Sequence, residues 1–490
     1  MITLSVMAAT IMQAIDTTIA NVALPHMQGT MSATQDQISW VLTSYIVASA
    51  ICMPLTGFLS SRIGRKRLML TIVAGFTLTS MLCGAAQTLP QIVLFRLLQG
   101  VFGACIVPLS QAVLIDTYPR EKLPAAMAMW GVGIMVGPIL GPMLGGWLTE
   151  YYSWRWVFYI NLPFGLLAWF GIAANVRETP IDRSRHFDLL GFALLGLAIG
   201  ALQMMLDRGQ TLDWFNSTEV MIEAMLAGTA LYLFIAHMFT HEHPFLEPGL
   251  FRDRNFALGL VFMFIIGIIL LSTMALMPPF LHTLMGFPVY DVGYLLAPRG
   301  AGTMISMMIV GRIGNRVDGR ISILAGLLLT GLSLWGMTHF TTDMPQWNVV
   351  STGVVQGLGL GLIFVPLSTI SFSTLAQRYR NEGTALSSLV RNIGSSIGIS
   401  VVISYLAHRV QVNHAAFSEY INPFSTALRQ SIESGVSDIS SPLGLSILDA
   451  QVLREAATLA YLQDFRLMMW VTLTAVPLVF LLRVPLKKAA

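Results

Sequence analysis

Long apolar stretches recur along the whole chain with almost no charge inside them, and this pattern constrains the fold more than any other feature. Hydrophobic residues make up 55% of the 490 residues and charged residues only 11%, whereas a soluble domain is about one quarter charged. So few charges cannot cover a water-exposed surface. The sequence therefore predicts an all-α, polytopic membrane protein.

A membrane-spanning helix needs about 20 mostly apolar residues, and the chain offers fourteen such segments. Their approximate centres are residues 14, 48, 77, 103, 137, 165, 197, 229, 267, 301, 330, 360, 395 and 475. Cytoplasmic loops carry an excess of Lys and Arg. With both termini placed in the cytoplasm, the cytoplasmic loops hold nineteen such residues and the opposite loops hold five. This asymmetry predicts cytoplasmic termini.

Two local echoes indicate an internal duplication with an offset near 255 residues. The loop sequence GFLSSRIGRKR (Gly57–Arg67) resembles GRIGNRVDGR (Gly311–Arg320), and QGVFGACIVPLS (Gln99–Ser110) resembles QGLGLGLIFVPLS (Gln356–Ser368). Paired repeats about a midplane site are typical of alternating-access carriers. We therefore expect a six-helix bundle at 1–187, two linker helices at 188–240 and a second six-helix bundle at 241–490.

Asp16 lies in the middle of the first apolar segment and is the one acidic residue that the sequence places deep inside a span. An ionisable group near the bilayer centre costs roughly 2.5–3.5 kcal/mol on insertion scales and usually marks function. Burial disfavours the charged form, so a carboxyl here can accept a proton from one side and release it to the other. The alternatives are a static ion pair with a buried arginine and a cap at a helix break.

Three arginines share this predicted depth: Arg96, Arg299 and Arg391. Arg96 precedes LLQG, whereas the second repeat has Gly353 at the corresponding position, so the fold symmetry does not require the charge. The sequence leaves three roles open for Arg96, namely binding substrate, holding a helix break and tuning Asp16. Arg299 and Arg391 either satisfy backbone carbonyls or line a substrate cavity.

The fifth segment contains GVGIMVGPILGPMLGG (Gly131–Gly146), in which glycines recur every four residues and so share one helix face. Small residues at this spacing let two helices approach closely, and prolines permit bending. The face is either a tightly packed contact or a seam that opens and closes. Its members are Gly133, Gly137, Gly141 and Gly145, with Pro138 and Pro142 between them.

Four further features carry weaker expectations. In GFLSSRIGRKR the basic residues either anchor the loop to the cytoplasmic face or close a gate. The segment 407–465 is expected to form one or two short helices outside the membrane or a passive connector. His237, His241 and His243 allow a metal site, but interfacial histidines explain them better, so no metal is predicted. Residues expected to face a substrate cavity are Met12, Gln13, Tyr45 and Gln111.

The whole chain resembles the major facilitator superfamily, and within it the fourteen-helix drug/proton antiporters of the EmrB/QacA type. WRWVFYINLPFG (Trp154–Gly165) is the most specific match to the fourteen-helix group. The other matching motifs are IDTTIANVALP (Ile15–Pro25), GFLSSRIGRKR, FRLLQG (Phe95–Gly100) and the glycine-rich fifth segment, while ALQMMLDRGQTLDWFNS (Ala201–Ser217) and INPFSTALRQ (Ile421–Gln430) resemble the EmrB branch.

The resemblance implies proton-driven export of hydrophobic toxic compounds across the inner membrane, with no cofactor beyond the proton gradient. It implies that Asp16 is the protonation site and Arg96 its partner, and that conformational change involves Gly57, Arg62, Gly64, Arg65, Gln99 and Gly100. It also implies a periplasmic membrane-fusion adaptor and, through it, an outer-membrane channel, for which segment 407–465 is the candidate docking surface. Ser61 replaces the usual motif aspartate, which puts the cytoplasmic latch in question.

Two other functions compete with multidrug export. One is the dedicated export of a single metabolite such as a fatty acid or siderophore. The other is a membrane sensor or scaffold, which the repeat and the buried acid disfavour. The sequence has no phosphate-binding loop and no nucleophilic serine motif, so a secondary transporter is expected rather than an enzyme.

Overall fold

The structure is a computed structural model of the chain, and it describes residues 1–119, 121–182, 186–314, 316–421 and 441–483. Several sequence features named or counted above lie outside these ranges. They are most of the INPFSTALRQ motif, Asn315 of the second loop echo, and Arg120, Arg183, Arg185, Arg429, Lys487 and Lys488 of the loop charges.

Within the described ranges the chain is all helical and contains no strand. The first part of the chain folds into nine helices. They are α1 (Ile2–Met31), α2 (Gln35–Cys52), α3 (Leu55–Ile63), α4 (Arg65–Ala85), α5 (Leu89–Gly103), α6 (Ile106–Thr117), α7 (Leu123–Tyr151), α8 (Trp156–Tyr159) and α9 (Asn161–Asn175).

Two helices follow that pack against each other, α10 (Leu189–Arg208) and α11 (Thr218–Thr240). The last part of the chain forms seven described helices, with a π-helical turn at Phe280–Leu284. They are α12 (Arg254–Pro279), α13 (Val289–Ile313), α14 (Gly319–Met337), α15 (Gln346–Ser373), α16 (Arg380–Glu419), α17 (Pro442–Thr474) and α18 (Val476–Val479).

Eleven helical stretches in the described ranges are long and apolar enough to cross a membrane, or twelve when α2 and α3 count as one span bent by 61°. The chain is therefore a multi-pass membrane protein. Large apolar side chains remain exposed on many of these helices, for example Leu167 at 68% and Tyr232 at 72%. Such a surface is tolerated only when lipid covers it, because soluble monomers rarely expose large contiguous apolar patches.

Helices α1–α9 pack mainly among themselves, and so do α12–α18. The two groups meet where α7 packs on α13 and where the start of α16 packs on α3 and α6. Glycines allow this approach: a Cβ on Gly300 would overlap the side chain of Ile139, and a Cβ on Gly311 would lie 2.6 Å from the Cβ of Ala128. The helices that contact across this boundary are thus held at close range.

The glycine face of α7 packs on α1, as the four-residue spacing predicts. Gly133 lies against Met7, Gly137 against the backbone of Ala14, Gly141 against Thr18 and Gly145 against Ile19. The Thr18 hydroxyl donates to the carbonyl of Gly137 at 3.0 Å. Pro138 and Pro142 lie inside α7, which continues as one helix from Leu123 to Tyr151.

Of segment 407–465, the structure describes residues 407–421 and 441–465, and most of these belong to two long helices rather than to short ones. Its first part continues α16, which has 40 residues, and its last part belongs to α17, which has 33 residues. No glycine or proline interrupts residues 399–419, so the end of the apolar run leaves nothing to end the helix. The Asn413 side chain donates to the carbonyl of Ala456 at 3.2 Å and ties the two helices together.

Candidate functional site

Asp16 and Arg96 form an ion pair inside the first helix group. The Nη1 of Arg96 lies 2.8 Å from Oδ2 of Asp16, and the two side chains are 1% and 0% exposed. Asp16 lies in the middle of α1, so it is not a helix cap. A buried pair of this kind must be well hydrogen-bonded, because the desolvation of two charges otherwise exceeds their attraction.

Two amides complete the surroundings of the carboxylate. Gln99 donates to Oδ1 of Asp16 at 2.8 Å and accepts from Arg96 at 2.8 Å. Asn161, the first residue of α9, donates to the same Oδ1 at 2.7 Å and to the Ser80 hydroxyl at 2.9 Å. The ionised form of Asp16 therefore accepts three hydrogen bonds, and residues from α1, α5 and α9 converge on it.

Arg96 is positioned by α2 and by two aromatic rings. Its Nε donates to the carbonyl of Val41 at 3.1 Å, and its guanidinium carbon lies 4.4 Å from the ring centroid of Tyr45 and 5.6 Å from that of Phe158. Gly100 makes this possible, because a Cβ there would lie 2.5 Å from the carbonyl oxygen of Tyr45. Of the three roles left open by the sequence, the geometry favours pairing with Asp16.

The residues expected to line a cavity are mostly packed inside the first helix group. Met12 is fully buried and contacts the Thr77 hydroxyl, while Tyr45 and Gln111 are 4% and 3% exposed. Gln13 is half-buried and donates to the Tyr45 hydroxyl at 3.2 Å. Met12 and Tyr45 share one apolar core with side chains of α4 and α6, so helical phase turns both toward the core.

Arg299 and Arg391 lie in the second helix group, in contact with α12. Arg299 is 9% exposed and donates to the carbonyl of Leu270 at 3.1 Å, which agrees with its structural alternative. Arg391 is half-buried on α16, and its backbone packs against Gly267. A Cβ on Gly353, the repeat counterpart of Arg96, would lie 3.6 Å from the Cβ of Arg299. The second group thus has an arginine of its own near the position where Arg96 would stand.

A second ionic cluster joins the two helix groups at the end of the molecule where α3, α6 and α16 meet. Asp116 of α6 accepts from Arg65 at 2.7 Å and from Arg380 of α16 at 2.6 Å. The same guanidinium nitrogen of Arg65 donates to the Asn381 side chain at 2.8 Å. Asp116 therefore bridges a cation from each helix group.

Two glycines of the GFLSSRIGRKR motif, Gly57 and Gly64, allow the close packing around this cluster. A Cβ on Gly57 would overlap the side chain of Glu382 at the start of α16. Gly64 adopts a φ of 93°, a backbone conformation that favours glycine, and so starts α4 directly after α3. Arg62 lies exposed in the last turn of α3. The Ser61 hydroxyl donates to the carbonyl of Phe58 at 2.8 Å, within its own helix.

The structure brings His237 and His241 beside Asp188. His237 Nε2 lies 2.9 Å from the Asp188 carboxylate, and the two histidine rings stack with centroids 4.7 Å apart. The ligand atoms of these three residues lie within 4.8 Å of one another. Asp188 also accepts from the backbone N–H groups of Gly191 and Phe245, at 2.8 and 2.9 Å. The carboxylate therefore caps α10 and holds the end of α11 against it.

Sequence reasoning missed three residues that the structure makes prominent. Asn161 lies in the most specific motif, and a polar residue in an apolar span was the available signal. Asp116 gave none, because a carboxylate near a loop is ordinary. Asp464 belongs to segment 407–465, which the sequence predicts to lie outside the membrane, and in α17 it is completely buried; no local sequence signal indicated this burial.

Comparison with known proteins places these features in a family. The model of the Major Facilitator Superfamily matches residues 6–399. The fatty acid resistance protein FarB of Neisseria gonorrhoeae is 37% identical over 443 residues, covering 89% of this chain and 87% of that protein. The multidrug export protein EmrB of Haemophilus influenzae is 35% identical over 433 residues, covering 87% and 84%.

A solved structure supports the fold independently of the sequence. The crystal structure of the human organic anion transporter MFSD10 superposes with a TM-score of 0.60 and covers 96% of this chain and 98% of that one. The two sequences are 14% identical. At this distance the similarity concerns the architecture of the helices alone.

Proposed function

Because the chain belongs to the major facilitator superfamily, a family of transporters rather than enzymes, we propose that it is a proton-coupled antiporter that exports hydrophobic compounds. The observation that supports this most is the buried pair of Asp16 and Arg96. A transporter can exchange a proton for a substrate at a carboxyl that is alternately ionised and neutral. Asp16 supplies such a carboxyl, and Arg96, Gln99 and Asn161 stabilise its ionised form.

The proposed topology has fourteen spans and cytoplasmic termini. It adds α13 and α17 to the twelve spans counted above, since both are long enough to cross about 30 Å of hydrocarbon at 1.5 Å per residue. The two six-helix bundles are 1–187 and 241–490, and α10 and α11 in 188–240 are the inserted pair. The cytoplasmic position of the Arg65–Asp116–Arg380 bridge follows from this topology.

Proton coupling is tested by measuring drug-driven proton release from proteoliposomes. In the Asp16→Asn variant the carboxyl cannot bind and release a proton, so release falls to the level of empty liposomes while the protein inserts normally. Asp36→Asn, a change at an exposed position at the start of α2, is the matched control and keeps full activity. Undiminished release from Asp16→Asn would remove the assignment.

A second candidate function rests on the similarity to FarB. It keeps the mechanism and changes the cargo to one amphipathic metabolite such as a fatty acid. A susceptibility panel separates the two, comparing cells that carry the wild type with cells that carry Asp16→Asn. Protection against several unrelated hydrophobic drugs supports multidrug export, whereas protection against long-chain fatty acids alone supports the dedicated exporter.

We propose further that the protein works in the inner membrane with a periplasmic membrane-fusion adaptor, and through it with an outer-membrane channel. The ends of α16 and α17 that project past the apolar core are the proposed docking surface. Replacing residues 412–455 by a short flexible linker should spare transport in vesicles but abolish resistance in cells. Full resistance after the replacement would exclude this surface as the adaptor site.

A further inference from the structure

Asp464 lies on α17, where its carboxylate is buried inside the second helix group. The residue is 0% exposed, and both carboxylate oxygens lack a hydrogen-bond partner among the described residues. Tyr461, Phe465 and Met468 flank it along the same face of α17 and belong to one apolar core that includes Phe280. No ion pair in the described part of the chain includes Asp464, whereas Asp16 has a cation and two amides.

An ionised carboxylate in such surroundings is strongly disfavoured, because neither water nor a cation compensates its charge. No charged group on a packed element supplies this compensation. Arg409 of α16 donates to Gln463, Arg454 donates to the carbonyl of Leu284, and Arg466 faces outward. The other titratable side chains on α17 and on the elements packed against it include His282 of the π-helical turn, Arg254 of α12 and Arg320 of α14. On α17 they are Asp449, Glu455 and Tyr461, and on α16 they are Arg380, Glu382, Arg391, Tyr405, His408, His414 and Glu419. Within the described residues none of them donates a hydrogen bond to the Asp464 carboxylate.

The repeat relates this position to the Asp16 site. Gln99 and Gln356 are 257 positions apart, and the same offset takes Asp16 to Thr273. Gln356 donates to the Thr273 hydroxyl at 3.2 Å, just as Gln99 donates to Asp16. Met468, one helical turn after Asp464, has its sulfur 4.0 Å from the same hydroxyl. The second group therefore carries Thr273 at the repeat position of Asp16. The buried Asp464 lies on α17, one helical turn before Met468, the residue that contacts Thr273.

We propose that Asp464 is a second proton-binding carboxyl of the transporter, uncharged in this conformation and ionised in another. It takes its proton from the aqueous phase on the side to which α16 and α17 project, and it gives that proton up when the rearranged bundle admits water or a cation to the carboxylate. The coupling part of this inference rests on the proposed antiport, whereas the protonation of Asp464 in the structure described here does not.

Infrared spectroscopy tests the protonation directly on the purified full chain. Un-ionised carboxylic acids show a carbonyl stretching band, separate from that of carboxylates, that shifts in D2O. The band should be present at neutral pH in the wild type and lost in Asp464→Asn. The matched control Asp449→Asn changes a 67% exposed acid on the same helix and should retain it. Identical spectra of wild type and Asp464→Asn in this region would overturn the proposal.

The melting temperature provides a second test. If Asp464 had a structural role, its replacement would lower the melting temperature, whereas the proposal predicts no decrease. Since the carboxylate makes no hydrogen bond, Asp464→Asn and Asp464→Leu should melt at or above the temperature of the wild type in detergent. A marked fall in melting temperature for both variants would show that Asp464 is held by interactions that the proposal denies.

Coupling is tested by counting protons released per drug molecule in proteoliposomes. Asp464→Asn should lower this ratio by about one proton per cycle while drug binding is retained, and Asp464→Glu should restore it. An unchanged ratio contradicts a coupling role for Asp464 while leaving Asp16 as the antiport site. If the infrared band shows that Asp464 is un-ionised but the wild type releases no protons when drug is added, the proposed antiport is contradicted and the protonation of Asp464 is not.

Discussion

Gly137 of α7 lies directly against the backbone of Ala14, two residues before Asp16 in α1. Any side chain at this position would overlap the peptide carbon and oxygen of Ala14. The close approach of α7 therefore fixes the height and rotation of α1 at the turn that carries the buried carboxylate. Helix packing and the geometry of the ion pair are consequently linked through a single glycine.

The Gly137→Ala variant should be destabilised despite the better helix propensity of alanine. The propensity gain is at most about 1 kcal/mol, whereas overpacking against the rigid backbone of α1 costs roughly 1–3 kcal/mol. Gly146→Ala, on the same helix with no atom within 4 Å of the added Cβ, should be neutral or more stable. Thermal melting in detergent measures both, and equal melting temperatures would show that α1 yields to the methyl group.

The Arg96→Gln variant should lose more stability than the double variant Asp16→Asn/Arg96→Gln. Removing one partner of a buried ion pair leaves an uncompensated charge and costs about 3–5 kcal/mol, whereas removing both charges is often close to neutral. The measurement is a double-mutant cycle of melting temperatures for the single and double variants. Additive losses would indicate that the pair is not the close contact seen here.

Asp116→Asn should weaken the bridge between the two helix groups and favour states in which this end is open. Hydrogen bonds to charged groups contribute about 1.5–3 kcal/mol each, so the open state should become at least tenfold more populated. Spin labels on α6 and α16 report the distance between the groups. Asp449→Asn is the control, because it removes a pair with His414 in which Asp449 is 67% exposed and both residues belong to one helix group, and it should leave the distance distribution unchanged.

Asp188→Ala should destabilise the packing of α10 on α11 by about 1 kcal/mol, the usual effect of losing a helix cap. Burial alone would raise the pKa of Asp188, but hydrogen bonds from Gly191, His237 and Phe245 outweigh it and lower the pKa below its usual value. The ionised form is thus favoured by folding. Its stabilisation is complete above the ordinary aspartate pKa and is lost as pH falls through the lowered value.

The pH effect is checked by melting the wild type and Asp188→Ala side by side. The difference between their melting temperatures should be constant near neutral pH and shrink at acidic pH. A difference that grows on acidification would contradict the hydrogen-bonded, ionised carboxylate. His241→Ala changes the neighbouring ring without removing a bond to Asp188 and provides a matched comparison.

The sequence predicted those parts of the site that depend on local periodicity. The four-residue spacing of glycines in α7 placed them on one face, and an acid within an apolar run placed Asp16 in the interior. Contacts between distant segments were not predictable in this way. Nothing local to Asp116 indicates that Arg380, 264 residues later, approaches it, and nothing in the motif around Asn161 specifies its bond to Asp16.

The burial of Asp464 was not predicted from the sequence, for a definite physical reason. Hydropathy marks the end of an apolar run, whereas a helix ends only where its backbone is interrupted. After Ser441 the composition is polar but favours a helix, so α17 runs from Pro442 to Thr474 and carries Asp464 into a contact surface. Neighbouring helices bury Asp464, and the local sequence around Asp464 does not show which helices pack against it.

Helices α16 and α17 are about 60 and 50 Å long at 1.5 Å per residue, while the hydrocarbon layer is about 30 Å thick. Both helices pack in the second helix group, and a hydrogen bond from Asn413 to the carbonyl of Ala456 joins them. A stiff rod pivoting near its base sweeps a wider arc at its tip than at its root. A small tilt of the second helix group therefore displaces the projecting ends of α16 and α17 more than it displaces their membrane-embedded parts. A partner bound at these ends would move farther than the helices around the transported compound.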